Sequence, residues 1–187
     1  MYVGSHGTNF DHVESIIANN FVESNSSDDW LGKGAYFFID GCNDQSTHDL
    51  ALEWAKAHHW DNKRKCYTCE HVATFDVDIS CDDDKILDMT KLRGRKLFNA
   101  YRESLKKSIS KGLKLKPKKA LSDTSIFNSI RNNLGIEAIL CDMYIKFEYE
   151  RVNVLHSRLP NCTIIAVSNT QENIDVDTLR VINKVKV

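Results

Sequence analysis

Two short glycine-flanked segments concentrate the residues best suited to hold a small ligand: Ser5-His6-Gly7-Thr8, and Leu31-Gly32-Lys33-Gly34-Ala35-Tyr36-Phe37-Phe38. A neutral imidazole is a short, directional group that donates through one ring nitrogen and accepts through the other. A glycine beside it lets backbone N–H and C=O approach a partner closely. Tyr36 offers a flat ring, and ring stacking adds roughly 0.5–1.5 kcal/mol beyond area burial. Gly32-x-Gly34 begins like a dinucleotide fingerprint, but it has no third glycine and leads into a strand rather than opening a helix. A Rossmann phosphate loop is therefore excluded. Cys66-x-x-Cys69, with His71 and Cys81 nearby, offers zinc-binding residue types, but the spacing fits no common site and a second CxxC is missing. The six cysteines are expected to be reduced thiols, with no metal.

The order of these segments continues through Leu50-Ala-Leu-Glu-Trp-Ala55, Leu87-Asp-Met-Thr90, Leu159-Pro-Asn161 and the run from Ile164 to Asn169. Across nearly the whole chain this pattern resembles the ADP-ribosyltransferase superfamily, on its diphtheria-toxin and poly(ADP-ribose) polymerase side, in a compact bacterial or phage form. The resemblance implies an α+β fold of two packed antiparallel sheets with flanking helices, and NAD⁺ as co-substrate in the cleft between the sheets. It assigns the NAD⁺ site to His6, Gly7, Thr8, Gly34 and Tyr36. His6 would bond the adenosine ribose, the Gly7 backbone would pair with the nicotinamide carboxamide, and Tyr36 would stack on nicotinamide. Breaking the glycosidic bond builds positive charge on the ribose, which a positioned carboxylate stabilises. Many relatives supply it from the start of a late core strand, where this chain has Ile164 between Thr163 and Ile165. Glu148 and Glu150, just before that strand, are the substitutes expected beside Tyr36 in the catalytic set. Arg151, His156 and Arg158 of the same segment would meet the pyrophosphate or a phosphate-bearing acceptor, or form surface ion pairs.

The elements that must position these groups are legible from pattern. A strand over residues 2–5 runs into His6, and a helix capped by Asp11 carries Val13, Ile16 and Ile17 on one face. Ala35–Ile39 is an aromatic, β-branched strand. A helix starts near Ser46, with Asp49 as its capping-box partner, and turns Leu50, Ala51, Trp54 and Ala55 inward. Residues 72–79 alternate as a strand. A helix from Thr90 shows an apolar stripe of Phe98, Tyr101, Leu105 and Ile109. Ser122 caps a further helix that Gly135 ends. Ala138–Cys141 and Thr163–Val167 read as core strands, and 179–187 as a terminal one.

Length and composition suit one globular domain: 187 residues, 42% hydrophobic and 27% charged. No basic-then-apolar leader pattern opens the sequence, so the expected location is cytoplasmic. The net charge of −1 conceals a segregation. Between Lys91 and Lys119 twelve basic residues meet one acid, Glu103, a net of +11 that leaves −12 for the rest. Such a block suits a polyanion, so the expected acceptor is DNA or RNA held by the Lys91–Lys119 region, with an acidic antitoxin or other protein as the other partner it fits. The activity expected is ADP-ribose transfer from NAD⁺ to a macromolecule, as a toxin or effector. Its alternatives are an NAD-dependent RNA 2′-phosphotransferase and a non-catalytic NAD⁺ or ADP-ribose binding module.

Overall fold

The computed structural model describes residues 1–26, 29–110 and 122–187. In chain order the elements are β1 (Tyr2–Asn9), α1 (Val13–Asn19), β2 (Ala35–Ile39), α2 (Thr47–His59), β3 (Trp60–Asp61), β4 (Cys66–Tyr67), β5 (His71–Ile79) and β6 (Ile86–Asp88). They continue with α3 (Leu92–Ser110), α4 (Asp123–Leu134), β7 (Ala138–Met143), α5 (Glu148–Val152), β8 (Cys162–Val167), α6 (Thr170–Asn173) and β9 (Ile174–Lys186).

Seven strands join in the order β6-β7-β8-β2-β1-β5-β9, and β3 and β4 form a separate two-stranded ribbon. The expectation of two packed antiparallel sheets is thus corrected in two respects. Hydrogen bonding links both halves into one sheet, and β6 and β7 run parallel, Ile86 opposite Ala138 and Asp88 opposite Leu140. Parallel neighbours need a long crossover, and here α3 and α4 lie within it.

The link between the halves is thin. β1 pairs with β5 from Tyr2–Ile79 to Asn9–Val72, and β2 with β8 from Ala35–Val167 to Ile39–Thr163, whereas β1 and β2 share the single pair Ser5–Phe38. About this joint the halves close on one another. Val77, Ile79 and Ile174 from one half share a core with Phe37, Ile39, Leu140, Ile165 and Val167 from the other. Gly4 lies where they press together: an added Cβ would meet Ile79 and, at 2.9 Å, the Phe37 side chain.

The opposite face of the β2-β8-β7 half is covered by α2, α3 and α4. Leu50, Ala51, Phe98, Ile126 and Ile130 pack there on Phe38, Ile139, Ile164 and Ala166. Strands buried on both faces need no alternation, which is why β2, β7 and β8 read as unbroken apolar runs. Ser46 caps α2 by accepting from the Asp49 N–H, Ser122 caps α4 by accepting from the Ser125 N–H, and Gly135 ends α4 in the left-handed conformation. Asn9, not Asp11, makes the first cap: it precedes a 3₁₀ turn at Phe10–His12, and α1 begins only at Val13. Ile17, expected on the buried face of α1, is 54% exposed. The helix expected from Thr90 begins at Leu92, and the last strand begins at Ile174 rather than 179.

Candidate functional site

Extending the register from the Ser5–Phe38 pair would set Gly7 opposite Tyr36 and Asn9 opposite Gly34. The ladder instead stops, and the two strands part. Between them opens a cleft of about 760 Å³, lined on one side by His6, Gly7 and Thr8 and on the other by Gly34, Ala35 and Tyr36. All five residues expected to hold the dinucleotide therefore border one space. Its size is within the usual range of small-molecule sites.

His6 is tied across the parting strands: its Nδ1 lies 2.8 Å from the Tyr36 carbonyl oxygen. A carbonyl only accepts, so Nδ1 carries the hydrogen and Nε2 of the neutral ring is left as an acceptor. Burial lowers the His6 pKa below its usual 6.5, outweighing the Tyr36 bond, which raises it. The ring packs edge-on against Phe21, centroids 5.2 Å apart, and at 5.6 Å from Phe37. The sequence thus yields an oriented, uncharged imidazole because a position within β1, an aromatic pair and a carbonyl fix it together.

Tyr36 presents its ring while its hydroxyl is engaged, donating to the Gly32 carbonyl at 2.6 Å and accepting from the Leu31 N–H at 2.9 Å. Burial raises its pKa far above the usual value of 10.0. These bonds engage the hydroxyl and leave the ring as the part of Tyr36 that can meet a molecule in the cleft. Gly7 is required by the fold as well as available to a ligand: a Cβ there would collide with the Ala51 carbonyl of α2. Gly34 lies against β8, where an added Cβ would sit 2.9 Å from the Val167 oxygen, and it exchanges N–H···O bonds with Ser24. Thr8 sits at the rim, its hydroxyl 3.3 Å from His12 Nδ1.

The carboxylates expected to act on the ribose are elsewhere. Ile164 lines the cleft, whereas neither Glu148 nor Glu150 borders it. Glu148 Oε1 accepts from the Tyr67 hydroxyl at 2.6 Å, and burial plus this bond pushes the Tyr67 pKa up to about 12. The β3-β4 ribbon, unforeseen in the sequence, is what holds Glu148. Both glutamates fall in α5, a helix of five residues. Arg151 is also committed, donating to the Lys146 and Ala57 carbonyls and lying 5.6 Å over the Trp54 ring. His156 Nε2 is 3.1 Å from Lys146 Nζ.

Sequence reasoning passed over an aromatic rim and one acid. Trp30 meets Trp54 edge-on at 5.3 Å, and Trp54 stands 5.5 Å from His58; all three line the cleft. Asp29 lines it too, and no Lys or Arg does among the described residues. The adjacency of Asp29-Trp30 to the Leu31-Gly32 motif was the available signal. Among the described residues no His/Cys/Asp/Glu group could hold a metal, and no helix is long and apolar enough to cross a membrane. The cysteines, Cys66 and Cys69 included, are free thiols. The chain matches no family model, no curated protein and no solved structure.

Proposed function

We propose that the chain binds NAD⁺ in this cleft and transfers ADP-ribose to a macromolecular acceptor, nucleic acid in preference to protein, as a toxin or effector. The observation that carries the reading is the convergence of His6, Gly7, Thr8, Gly34 and Tyr36, from segments some thirty residues apart, on one cleft. Their states suit the roles. A neutral imidazole with a bare Nε2 accepts from a ribose hydroxyl, a ring whose hydroxyl is already bonded stacks on nicotinamide, and strand edges without a ladder partner supply N–H and C=O to a carboxamide. A 2′-phosphotransferase needs cations about its phosphate, and the described lining has none.

One observation favours a second reading, an NAD⁺ or ADP-ribose binding module: Ile164 borders the cleft where a carboxylate is wanted, and Glu148 is bonded outside it. Two measurements on the purified chain separate the readings. Calorimetric titration should detect NAD⁺, with affinity lost in His6→Ala and Tyr36→Ala, and chromatography should detect released nicotinamide. Binding without release assigns the module; absence of binding removes both readings. Labelled NAD⁺ offered with separate DNA, RNA and protein pools then identifies the acceptor.

A further inference from the structure

This inference rests on the cleft being an NAD⁺ site. Among the described lining residues Asp29 alone carries a carboxylate. It is held by neutral donors: the Ser24 hydroxyl donates to Oδ1 at 2.7 Å and the Ser26 N–H to Oδ2 at 2.6 Å. The Thr124 hydroxyl of α4 donates to the Asp29 carbonyl, fixing the backbone beneath. No Lys, Arg or His among the described residues forms an ion pair with Asp29. Two hydrogen bonds occupy only part of a carboxylate's accepting capacity, so the group is positioned yet its charge is unmatched. Its field reaches Tyr36, whose pKa it helps raise. Phe21, Trp30, Trp54 and Ile164 border the same space, and apolar walls strengthen a charge's interaction with an opposite one.

We propose that Asp29 is the carboxylate that faces the nicotinamide riboside of NAD⁺, selecting its cationic ring and then stabilising the positive charge that develops on the ribose. In that step the bond between ribose C1′ and the nicotinamide nitrogen breaks, and its electron pair leaves on the nitrogen, giving neutral nicotinamide. The ribosyl cation at C1′ is captured by an oxygen or nitrogen of the acceptor. The proton released by that nucleophile passes to the Asp29 carboxylate and from there to water.

The test compares wild type, Asp29→Asn, Asp29→Glu and Ser24→Ala, each checked for wild-type thermal unfolding. Nicotinamide release is measured, together with affinity for NAD⁺ and for NADH, whose ring is uncharged. Wild type should prefer NAD⁺. Asp29→Asn should lose that preference while still binding NADH, and should release nicotinamide on the order of 100-fold more slowly or worse. Asp29→Glu should keep the preference, since the charge remains, and Ser24→Ala should keep it too. If Asp29→Asn does not fold, Asp29→Glu still decides, because a folded Asp29→Glu without preference for NAD⁺ overturns the assignment. Unchanged release and preference in Asp29→Asn overturn the role of Asp29 and leave the NAD⁺ site standing. Wild type that binds NAD⁺ but releases no nicotinamide overturns the catalytic part. Wild type that binds neither nucleotide overturns the cleft reading itself.

Discussion

The Tyr36 hydroxyl divides one side chain into a structural end and a cleft-lining ring, so its two substitutions should separate. Tyr36→Phe leaves the Leu31 N–H without its acceptor, and a buried unpaired donor costs about 1–3 kcal/mol. Urea denaturation should show that loss with NAD⁺ affinity nearly intact, whereas Tyr36→Ala should remove both. His6 makes stability depend on pH. Its folded pKa is depressed below 6.5, as are those of His58 and His59. The unfolded chain therefore takes up protons that the folded chain refuses, and stability falls as pH drops below about 6.5 until the folded pKa values are reached. His6→Gln takes one proton out of this balance, so its urea midpoint should decline less steeply between pH 7 and 5. An equal slope would mean that His6 takes up its proton in the fold just as it does in the unfolded chain.

At the scale of elements, the close approach of α2 to β1 depends on Gly7. A methyl group there meets backbone, which cannot rotate away, so Gly7→Ala should cost about 1–3 kcal/mol or more and widen the cleft. A wild-type denaturation midpoint would show that α2 has room to shift. The same elements show what a sequence discloses. The Ser46 and Ser122 caps and the Gly135 stop were legible because capping is chemistry between residues a few positions apart. The core strands were legible because they are apolar throughout. Ile17 was misread because periodicity names a face without saying whether anything covers it. The β3-β4 ribbon left no pattern, its strands being two residues each, and the Tyr67–Glu148 bond that holds Glu148 outside the cleft joins positions 81 residues apart. His6 and Tyr36 could be singled out from their motifs. Asp29 ends a polar stretch that reads as a loop, and only its adjacency to the Leu31-Gly32 motif marks it.

For the molecule as a whole, the basic block between Lys91 and Lys119 is the sequence feature on which the proposed nucleic-acid acceptor rests. Lys111–Lys119 lies outside the described residues. Within α3 part of the basic charge is matched by acids. Arg102 pairs with Asp123 at 3.1 Å and covers the Phe98 ring, and Lys106 pairs with Glu103 at 2.7 Å. Lys96 and Lys107 are exposed on α3 and form no such ion pair among the described residues. Reversing both to Glu should lower labelling of the nucleic-acid pool and flatten its salt dependence, by about 0.7–0.9 log units per log of salt for each phosphate no longer neutralised, with NAD⁺ hydrolysis unaffected. Unchanged labelling would assign the block to an acidic protein.

The single-pair joint between β1 and β2 also bears on how the chain folds. In space it could pass for a boundary between two units, β1-β5-β9 and β6-β7-β8-β2. Along the chain it is no boundary, since the polypeptide passes from one side to the other between β1 and β2, β2 and β5, β5 and β6, and β8 and β9. Neither side is a continuous stretch of sequence that could collapse before the other. Most strand pairings must close long loops, which slows folding, and both sides should be lost in a single cooperative transition. Tryptophan fluorescence and far-ultraviolet circular dichroism should accordingly give superimposable unfolding curves, and neither half, expressed as fragments, should hold its strands alone.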